Sequence, residues 1–258
     1  MIVLRSLAIA FTMYSRIPAP RVKWEKEAMS LALCFFPLIG AVIGALMCVW
    51  WSLAGLLRLG PVLRAAGMLL IPVAVSGAVH LDGFADVSDA LGSRQPRERK
   101  LEILKDSHTG AFAIITVVGY MILFFAAWCA FYGDTRTVVA LAITPVLSRA
   151  LSALAAMCFK NARGSGLLAT FTDAAQKTAG RVISVIWIVA ACAAMILLSP
   201  IAGLAAVIGA GLAFAAYAAT AYTQFGGTTG DLAGWFTQIC ELASVLAAVV
   251  ALHVAEVL

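Results

Sequence analysis

The sequence predicts an all-α membrane protein, folded as one polytopic helix bundle of about seven transmembrane helices over residues 1–258. Hydrophobic residues make up 63% of the chain and charged residues only 12%, and the mean hydropathy is +0.99. Soluble domains are roughly half apolar and a quarter charged, so this composition excludes a soluble fold. Uncharged runs such as residues 31–57 are also long enough to cross a hydrocarbon core of about 30 Å as helices.

Residues 1–30 are expected to form a cytoplasmic or interfacial segment. Met1 to Tyr14 carries an early Arg5 followed by apolar residues, which is also typical of a signal peptide. The apolar run is short, however, and leads into the sequence IPAP and a basic stretch without a clean cleavage site. An amphipathic helix at the membrane interface is therefore the favoured interpretation.

The remaining chain divides into the expected spans where charge or proline interrupts it. Ser199-Pro200 splits the uncharged stretch between Arg181 and Asp231, because proline breaks a helix and disfavours helix in the residue before it. Arg64 shortens the second span, and its long side chain can reach the interface. The seven expected spans are residues 31–57, 59–79, 111–132, 137–158, 182–198, 201–222 and 235–258.

The distribution of Lys and Arg predicts the orientation. If the N-terminus is cytoplasmic, fourteen of these residues fall in inner segments and three in outer loops, as cytoplasmic loops are enriched in both. This predicts a multi-pass protein of the cell inner membrane with its C-terminus outside. An Asp-rich segment at 80–110 and a Gly-rich turn at 223–235 would both be cytoplasmic. The net charge of +5 then requires no nucleic-acid partner.

The sequence HLDGFADVSDAL begins at His80 and contains Asp82, Asp86 and Asp89. Their spacing of i, i+4 and i+7 puts the three carboxylates on one stripe of a helix, where they repel one another. One interpretation is a solvated face neutralised by the arginines that follow. The other is a divalent-cation site at the mouth of a span, where unpaired acids are costly. Carboxylate oxygens suit Mg²⁺, which commonly bridges protein carboxylates to substrate phosphates.

The sequence KDSHTGAF follows at Lys105 and leads into the third span. Asp106 and Ser107 stand where they could cap that helix. Alternatively, Asp106 returns to the aspartate cluster as a fourth carboxylate and Lys105 contacts a phosphate. His80 and His108 flank the acidic segment, either as hydrogen-bonding bystanders or with a direct role.

The sequence FGGTTGDLAGWF is the third unusual stretch. Gly226, Gly227 and Gly230 allow close approach of a ligand, and Asp231 follows where a helix begins. Such turns present free N–H groups to phosphate, although any turn between spans favours glycine. Arg149 lies in mid-span, where it needs a partner: either an acid, for which Glu241 is the candidate, or an anionic substrate.

Together these stretches resemble the cobalamin synthase family, also called adenosylcobinamide-GDP ribazoletransferases. The resemblance rests on HLDGFADVSDAL, LEILKDSHTGAF and GGTTGDLAGWFTQICEL, with SRIPAP, FFPLIGAVIG, SRALSA and ARGSGLLATF in support, and so covers nearly the whole chain. It implies an Mg²⁺-dependent enzyme that joins adenosylcobinamide-GDP to α-ribazole, or its 5′-phosphate, and releases GMP. The other implied partners are membrane lipid and either a second copy of the chain or other cobalamin-assembly enzymes.

The resemblance also implies roles for individual residues. Metal binding and catalysis are expected of Asp82, Asp86, Asp89 and Asp106, one of them acting as general base. Substrate contacts are expected of Arg16, Lys105, His108, Arg149, Arg163, Gly226, Gly227, Gly230, Asp231 and Glu241. The chain departs from the family pattern at His108, where arginine is frequent, and at Trp235, where alanine is usual. The first departure puts one basic contact in doubt and neither affects an aspartate.

Three other functions fit parts of the sequence. A membrane phosphotransferase acting on a CDP-activated lipid also uses aspartates around an Asp-Gly pair, but Val79 stands where its longer signature needs another aspartate. A cation transporter would need acids near mid-membrane, and only Glu241 is expected there. A scaffold without catalysis would tolerate neutral residues at Asp86 and Asp89.

Overall fold

The computed structural model describes residues 2–106 and 108–257, which fold into helices joined by short connections. The first helices, up to the acidic segment, are α1 (Ile2–Tyr14), α2 (Lys26–Met29), α3 (Phe36–Leu56), α4 (Pro61–Ser76), α5 (Val79–Gly92) and α6 (Arg97–Ile103). The rest are α7 (Ala111–Ala130), α8 (Thr135–Ala142), α9 (Thr144–Cys158), α10 (Leu167–Ala174), α11 (Lys177–Leu198), α12 (Pro200–Thr220) and α13 (Gly230–Val257). A 3₁₀ turn at Ala32–Phe35 precedes α3, and a π-helical turn at Ala221–Phe225 follows α12.

Six stretches of the described chain are long and apolar enough to cross a membrane, and a bent helix pair can supply a seventh. The six are Lys26–Leu56, Ala111–Ala130, Thr135–Cys158, Lys177–Leu198, Pro200–Phe225 and Gly230–Val257. The predicted all-α polytopic bundle is therefore confirmed, and the protein is a membrane protein. The expected fourth span consists of two consecutive helices, α8 and α9, and the expected second span is α4, which forms the bent pair with α5.

The bend between α4 and α5 measures 94°. Gly77 and Ala78 both have φ of +63°, in the left-handed region. The N–H of Ala78 donates to the carbonyl of Val73 at 2.9 Å, which closes the end of α4 in the manner of a Schellman motif. Arg16, just after α1, contacts the bend: its backbone N–H donates to the carbonyl of Val75 at 2.8 Å, and its side chain lies against Gly77. The acidic sequence is thus a helix turned away from α4.

The helices of the bundle approach closely at small residues. A side chain on Gly44 of α3 would collide with the carbonyl of Ala142, and one on Gly209 of α12 would lie 2.6 Å from the carbonyl oxygen of Ala243 in α13. Small residues at such crossings let backbones pack without hydrophobic side chains between them, as is common in membrane bundles. Helix α13 packs against α5, α7, α9 and α12 and is the centre of the bundle.

Candidate active site

The acidic helix α5 crosses the start of α13 at a pair of glycines. A Cβ on Gly83 would lie 2.7 Å from the carbonyl oxygen of Asp231 and 2.9 Å from its Cα. A Cβ on Gly234 would lie 3.1 Å from the carbonyl oxygen of His80. Glycine is therefore needed at position 83, a side chain at position 234 would be crowded, and the crossing brings the motifs HLDG and GDLAG into contact.

Three of the four predicted catalytic aspartates lie on α5. Asp82 is exposed, and Asp86 and Asp89 are half-buried. Asp86 lies in the electrostatic field of the other two and of Asp231, opposed by the positive charge of Arg163. Carboxylates gathered in this way repel each other and favour a cation among them.

Arg163 is positioned by pairing between two loops. The N–H of Ala162 donates to the carbonyl of Thr228 at 2.8 Å, and the N–H of Thr228 donates to the carbonyl of Lys160 at 2.8 Å. This short parallel pairing joins the loop after α9 to the Gly-rich turn before α13. It brings Nη2 of Arg163 to 3.2 Å from Oδ2 of Asp231, in a largely buried ion pair.

The Gly-rich turn is held from its other side by α6. The guanidinium group of Arg97 lies where a side chain on Gly226 would project. Nζ of the buried Lys100 donates to Oε1 of Gln224 at 2.6 Å. The sequence interpretation counted Arg97 and Lys100 only as charges that neutralise the acidic segment and that mark the cytoplasmic side. Their spacing of i, i+3 places them on one face of α6, the face that contacts the turn, although Arg97 is exposed and only Lys100 is buried.

Gly227 and Gly230, the other predicted glycines, serve different purposes. Gly227 has φ of +155°, and a side chain there would collide with the carbonyl of Lys160 and lie 3.0 Å from the nitrogen of Ala162. Glycine at 227 is therefore needed for the loop pairing itself. Gly230 begins α13 with open space beside it.

The segment after α6 returns to the acidic helix, because the carboxylate of Asp89 fills the space beside Gly110. Oδ1 of Asp106 accepts a hydrogen bond from the His108 N–H at 3.0 Å and lies 2.7 Å from Nδ1 of its ring. These contacts with His108 hold the pKa of Asp106 below its ordinary value of 3.8. Lys105 is exposed. Membership of Asp106 in a metal site, like the phosphate contact of Lys105, stays a prediction.

The capping role considered for Asp106 is wrong. Helix α7 begins at Ala111, its N-cap residue is Gly110, and no side chain caps it. Asp106 lies too early in the chain to reach that position and bonds to His108 instead. The second residue considered for this cap, Ser107, lies outside the described residues.

Arg149 and Glu241 pair with each other in the core. Nη1 of Arg149 lies 2.7 Å from Oε1 of Glu241, and the two side chains are 1% and 3% exposed. The same nitrogen donates to the carbonyl of Pro145 at 3.1 Å, and Ser148 Oγ donates to Glu241 Oε1 at 2.9 Å. The structural partner weighed for Arg149 is therefore present. Its contact with an anionic substrate stays a prediction, and Arg16, at the α4–α5 bend, stays one as well.

A cavity of about 210 Å³ opens beside the crossing of α5 and α13. Asp82, Gly83, Asp231 and Gly234 form one side of it. The other sides are lined by residues of α1, α3, α9 and α10, among them Tyr14, Phe36, Ala156 and Leu168, together with His80. The sequence interpretation missed these apolar residues, because they come from distant parts of the chain and carry no motif.

The oxygen donors beside this cavity are suited to Mg²⁺. In the part of the chain that the structure describes, no three His, Cys, Asp or Glu side chains form a ready-made metal cluster. Mg²⁺ does not need one, since it usually binds one or two carboxylates and completes its shell with water and substrate phosphates. The carboxylates of Asp82, Asp86 and Asp231 are hard ligands of that kind and fit the predicted metal.

Comparison with known proteins shows the family of the chain. The sequence profile of a family described as cobalamin-5-phosphate synthase matches residues 6–249, which include every candidate site residue from Arg16 to Glu241. The chain belongs to the cobalamin-5-phosphate synthase family. The predicted resemblance is thus confirmed, and this member of the cobalamin synthase family is an enzyme of cobalamin biosynthesis.

Individual relatives are similar to this cobalamin synthase family member along most of their length. A protein of Lachnoclostridium phytofermentans is 47% identical over 248 residues, covering 96% of this chain and 94% of the relative. One of Clostridium botulinum is 30% identical, with 95% and 96% covered. One of Pseudomonas fluorescens is 34% identical, with 85% and 88% covered. All three are named adenosylcobinamide-GDP ribazoletransferase. No solved structure matches the chain.

Proposed function

We propose that the protein is an Mg²⁺-dependent adenosylcobinamide-GDP ribazoletransferase. A ribose hydroxyl of α-ribazole, or of its 5′-phosphate, attacks the phosphorus that carries the corrinoid side chain. The new P–O bond joins corrinoid to ribazole, the bond to the GMP oxygen breaks, and GMP leaves with the electron pair. The names of the relatives, which share up to 47% of their residues with this chain, support this activity.

One observation carries the proposal: the backbone contact between Gly83 and Asp231. It brings Asp82 of α5 and Asp231 of α13, which are 149 positions apart in the sequence, to the same cavity. Arg163 lies 3.2 Å from Asp231. Phosphoryl transfer depends mainly on positioning and on neutralising charge. A pocket that combines several acids with a fixed cation beside a cavity meets both requirements.

The side chains at the site then have different roles. Asp82 and Asp86 would hold Mg²⁺, which neutralises diphosphate charge when bound. Arg163, held by the loop pairing, neutralises negative charge on the departing GMP. A carboxylate of α5 accepts the hydroxyl proton of the ribazole. Asp106 is the weaker base for this step, because its hydrogen bonds with His108 lower its pKa, whereas a good base has a pKa near the working pH.

We also propose that the site faces the cytoplasm. The segments that meet at the site are those that hold fourteen of the eighteen Lys and Arg residues, together with the Gly-rich turn. The opposite end, near Asp134 and Ser199, carries few of them. Positive residues favour the cytoplasmic side, which places the N-terminus there and the site on the inner face of the cell membrane.

The test is GMP release by the purified protein in detergent, given adenosylcobinamide-GDP and α-ribazole. Activity should rise with added Mg²⁺ and vanish with EDTA. Asp82→Asn should reduce kcat by at least about 10²-fold, as expected when a charge that organises the transition state is lost. The matched control is Asp134→Asn, at the other end of the bundle, since asparagine can replace the aspartate that caps α8.

Two results would overturn the proposal. One is turnover of CDP-diacylglycerol, with no GMP formed from adenosylcobinamide-GDP. The other is cation uptake by the protein in lipid vesicles without any transfer reaction. A folded Asp82→Asn protein with full activity would remove the role of that carboxylate.

A further inference from the structure

The cavity beside the α5–α13 crossing is lined mainly by apolar side chains. Its walls include Leu33, Phe36, Ala153, Ala156 and Leu168, and the acids Asp82 and Asp231 stand together at its edge. A substrate that fills it must therefore bury an apolar body and present its reactive end to the carboxylates.

The size of the cavity restricts its ligand. Its volume is about 210 Å³, whereas pockets for whole drug-sized molecules are typically about 300–1,000 Å³. An apolar cavity of about 150 Å³ is large enough for benzene. The space beside Asp82 thus suits one small ring system and is far too small for a corrinoid.

Aromatic side chains and one unpaired polar atom define its chemistry. The rings of Tyr14 and Phe36 lie 4.4 Å apart between centroids, and the His80 ring meets Phe36 edge-on at 5.5 Å. His80 is 5% exposed, and its buried Nε2 has no hydrogen-bond partner. A buried polar atom without a partner is destabilising, so a ligand that supplies one is favoured.

We infer that this cavity binds the base of the ribazole acceptor, an inference that rests on the function proposed above. The base of ribazole is dimethylbenzimidazole, a flat apolar bicycle with one free ring nitrogen. That nitrogen can accept a hydrogen bond from Nε2 of a neutral His80, and the attached ribose extends toward Asp82 and Asp231. His80, Tyr14 and Phe36 thereby select the acceptor.

The other aromatic group in the reaction, guanine, fits this cavity less well. Guanine carries donors and acceptors on most of its edge, and those that lie away from Asp82 and Asp231 would be buried among apolar side chains such as Leu33, Phe36 and Leu168. Benzimidazole has a single polar atom outside its link to ribose, which the unpaired Nε2 of His80 in the cavity lining can match.

The test fills the cavity and follows each substrate separately. Ala156→Phe places a ring in the cavity from α9, and Ala153→Val fills less of it with two added carbon atoms. Both should raise KM for α-ribazole, by about tenfold or more for the phenylalanine, with KM for adenosylcobinamide-GDP changed less than twofold. Leu154→Phe, on the same helix but outside the lining, should change neither KM and serves as the control.

Direct binding gives a second measurement that needs no turnover. Dimethylbenzimidazole should bind the purified wild-type protein in calorimetry, compete with α-ribazole but not with GMP, and bind Ala156→Phe at least tenfold more weakly. His80→Phe keeps a ring but loses Nε2, and should weaken dimethylbenzimidazole more than its analogue indene, which has no ring nitrogen.

The possible failures can be distinguished. If the wild-type protein forms no GMP from the two substrates, the proposed function fails. If it turns over normally but the cavity variants leave KM for α-ribazole unchanged, only the acceptor assignment is overturned. A rise in KM for adenosylcobinamide-GDP alone assigns the cavity to the other substrate, and displacement of a bound acyl chain without effect on either KM assigns it to lipid. Either result contradicts the inference.

Discussion

Gly83 and Asp231 meet backbone to backbone, with 2.7 Å between the position of a Gly83 Cβ and the carbonyl oxygen of Asp231. This contact fixes the separation of α5 and α13, and with it the spacing of the carboxylates on either side of the cavity. The crossing tolerates no side chain, since the obstructing atoms belong to the main chain and cannot swing aside.

Gly83→Ala is expected to push the two helices apart and lower kcat/KM by about 10²-fold, the scale of loss for a misplacement of about 1 Å. The measurement is GMP release by protein that remains folded in detergent. Gly119→Ala is the control, because nothing lies within 4 Å of that position on α7. An active Gly83→Ala protein would show that the crossing does not set the site geometry.

Arg163 and Asp231 are expected to act as a unit, because they form an ion pair at 3.2 Å. Arg163→Met and Asp231→Asn should each lower kcat/KM by about 10²-fold. The double variant should lose much less than the product of the two effects, as for residues in direct contact. Additive losses in this double-mutant cycle would mean that the two side chains work independently.

Gly227→Ala tests whether the loop pairing positions Arg163. The new side chain would collide with the carbonyl of Lys160, so the pairing should break and activity should fall about as far as in Arg163→Met. Gly211→Ala on α12, where nothing lies within 4 Å, should retain full activity. Unchanged activity in Gly227→Ala would separate the pairing from catalysis.

The Arg149–Glu241 pair is expected to matter for stability. Replacing Glu241 with leucine leaves Arg149 charged and unpaired in the core, which typically costs about 3–5 kcal/mol. The double variant Arg149→Met/Glu241→Leu removes both charges and should recover most of that loss. Thermal unfolding in detergent measures both.

The same double variant decides between the two roles considered for Arg149. A structural pair predicts that GMP release survives when both charges are removed. Loss of activity in the folded double variant would instead make Arg149 a contact for the anionic substrate.

The sequence was sufficient for the spans and for the aspartate stripe, since both follow from local patterns. Uncharged runs mark membrane helices, and the spacing of Asp82, Asp86 and Asp89 matches the helical repeat found in α5. The bend before α5 could not be predicted, because Ala78 adopts a left-handed conformation that alanine disfavours by roughly 1–2 kcal/mol. Only packing at the bend, including the contacts of Arg16, can stabilise it.

The cavity could not be predicted from the sequence either, for a different reason. Tyr14, Phe36 and Ala156 are ordinary apolar residues in a chain that is 63% hydrophobic, so composition gives no contrast between lipid-facing and ligand-facing positions. Arg97 and Lys100 were obscured in the opposite way, within a cluster of positive charges that orientation alone explained. Only the tertiary contacts of Arg97 and Lys100 distinguish these two residues from the other positive charges.

The 94° bend after α4 also bears on how the chain enters the bilayer during synthesis. A straight continuation of α4 would drag three acidic side chains into hydrocarbon, at a few kcal/mol for each one near the centre. We expect that the turn at Gly77 and Ala78 lets α4 enter the bilayer while α5 stays at the water boundary. The residues that shape the site thus also spare the nascent chain that penalty.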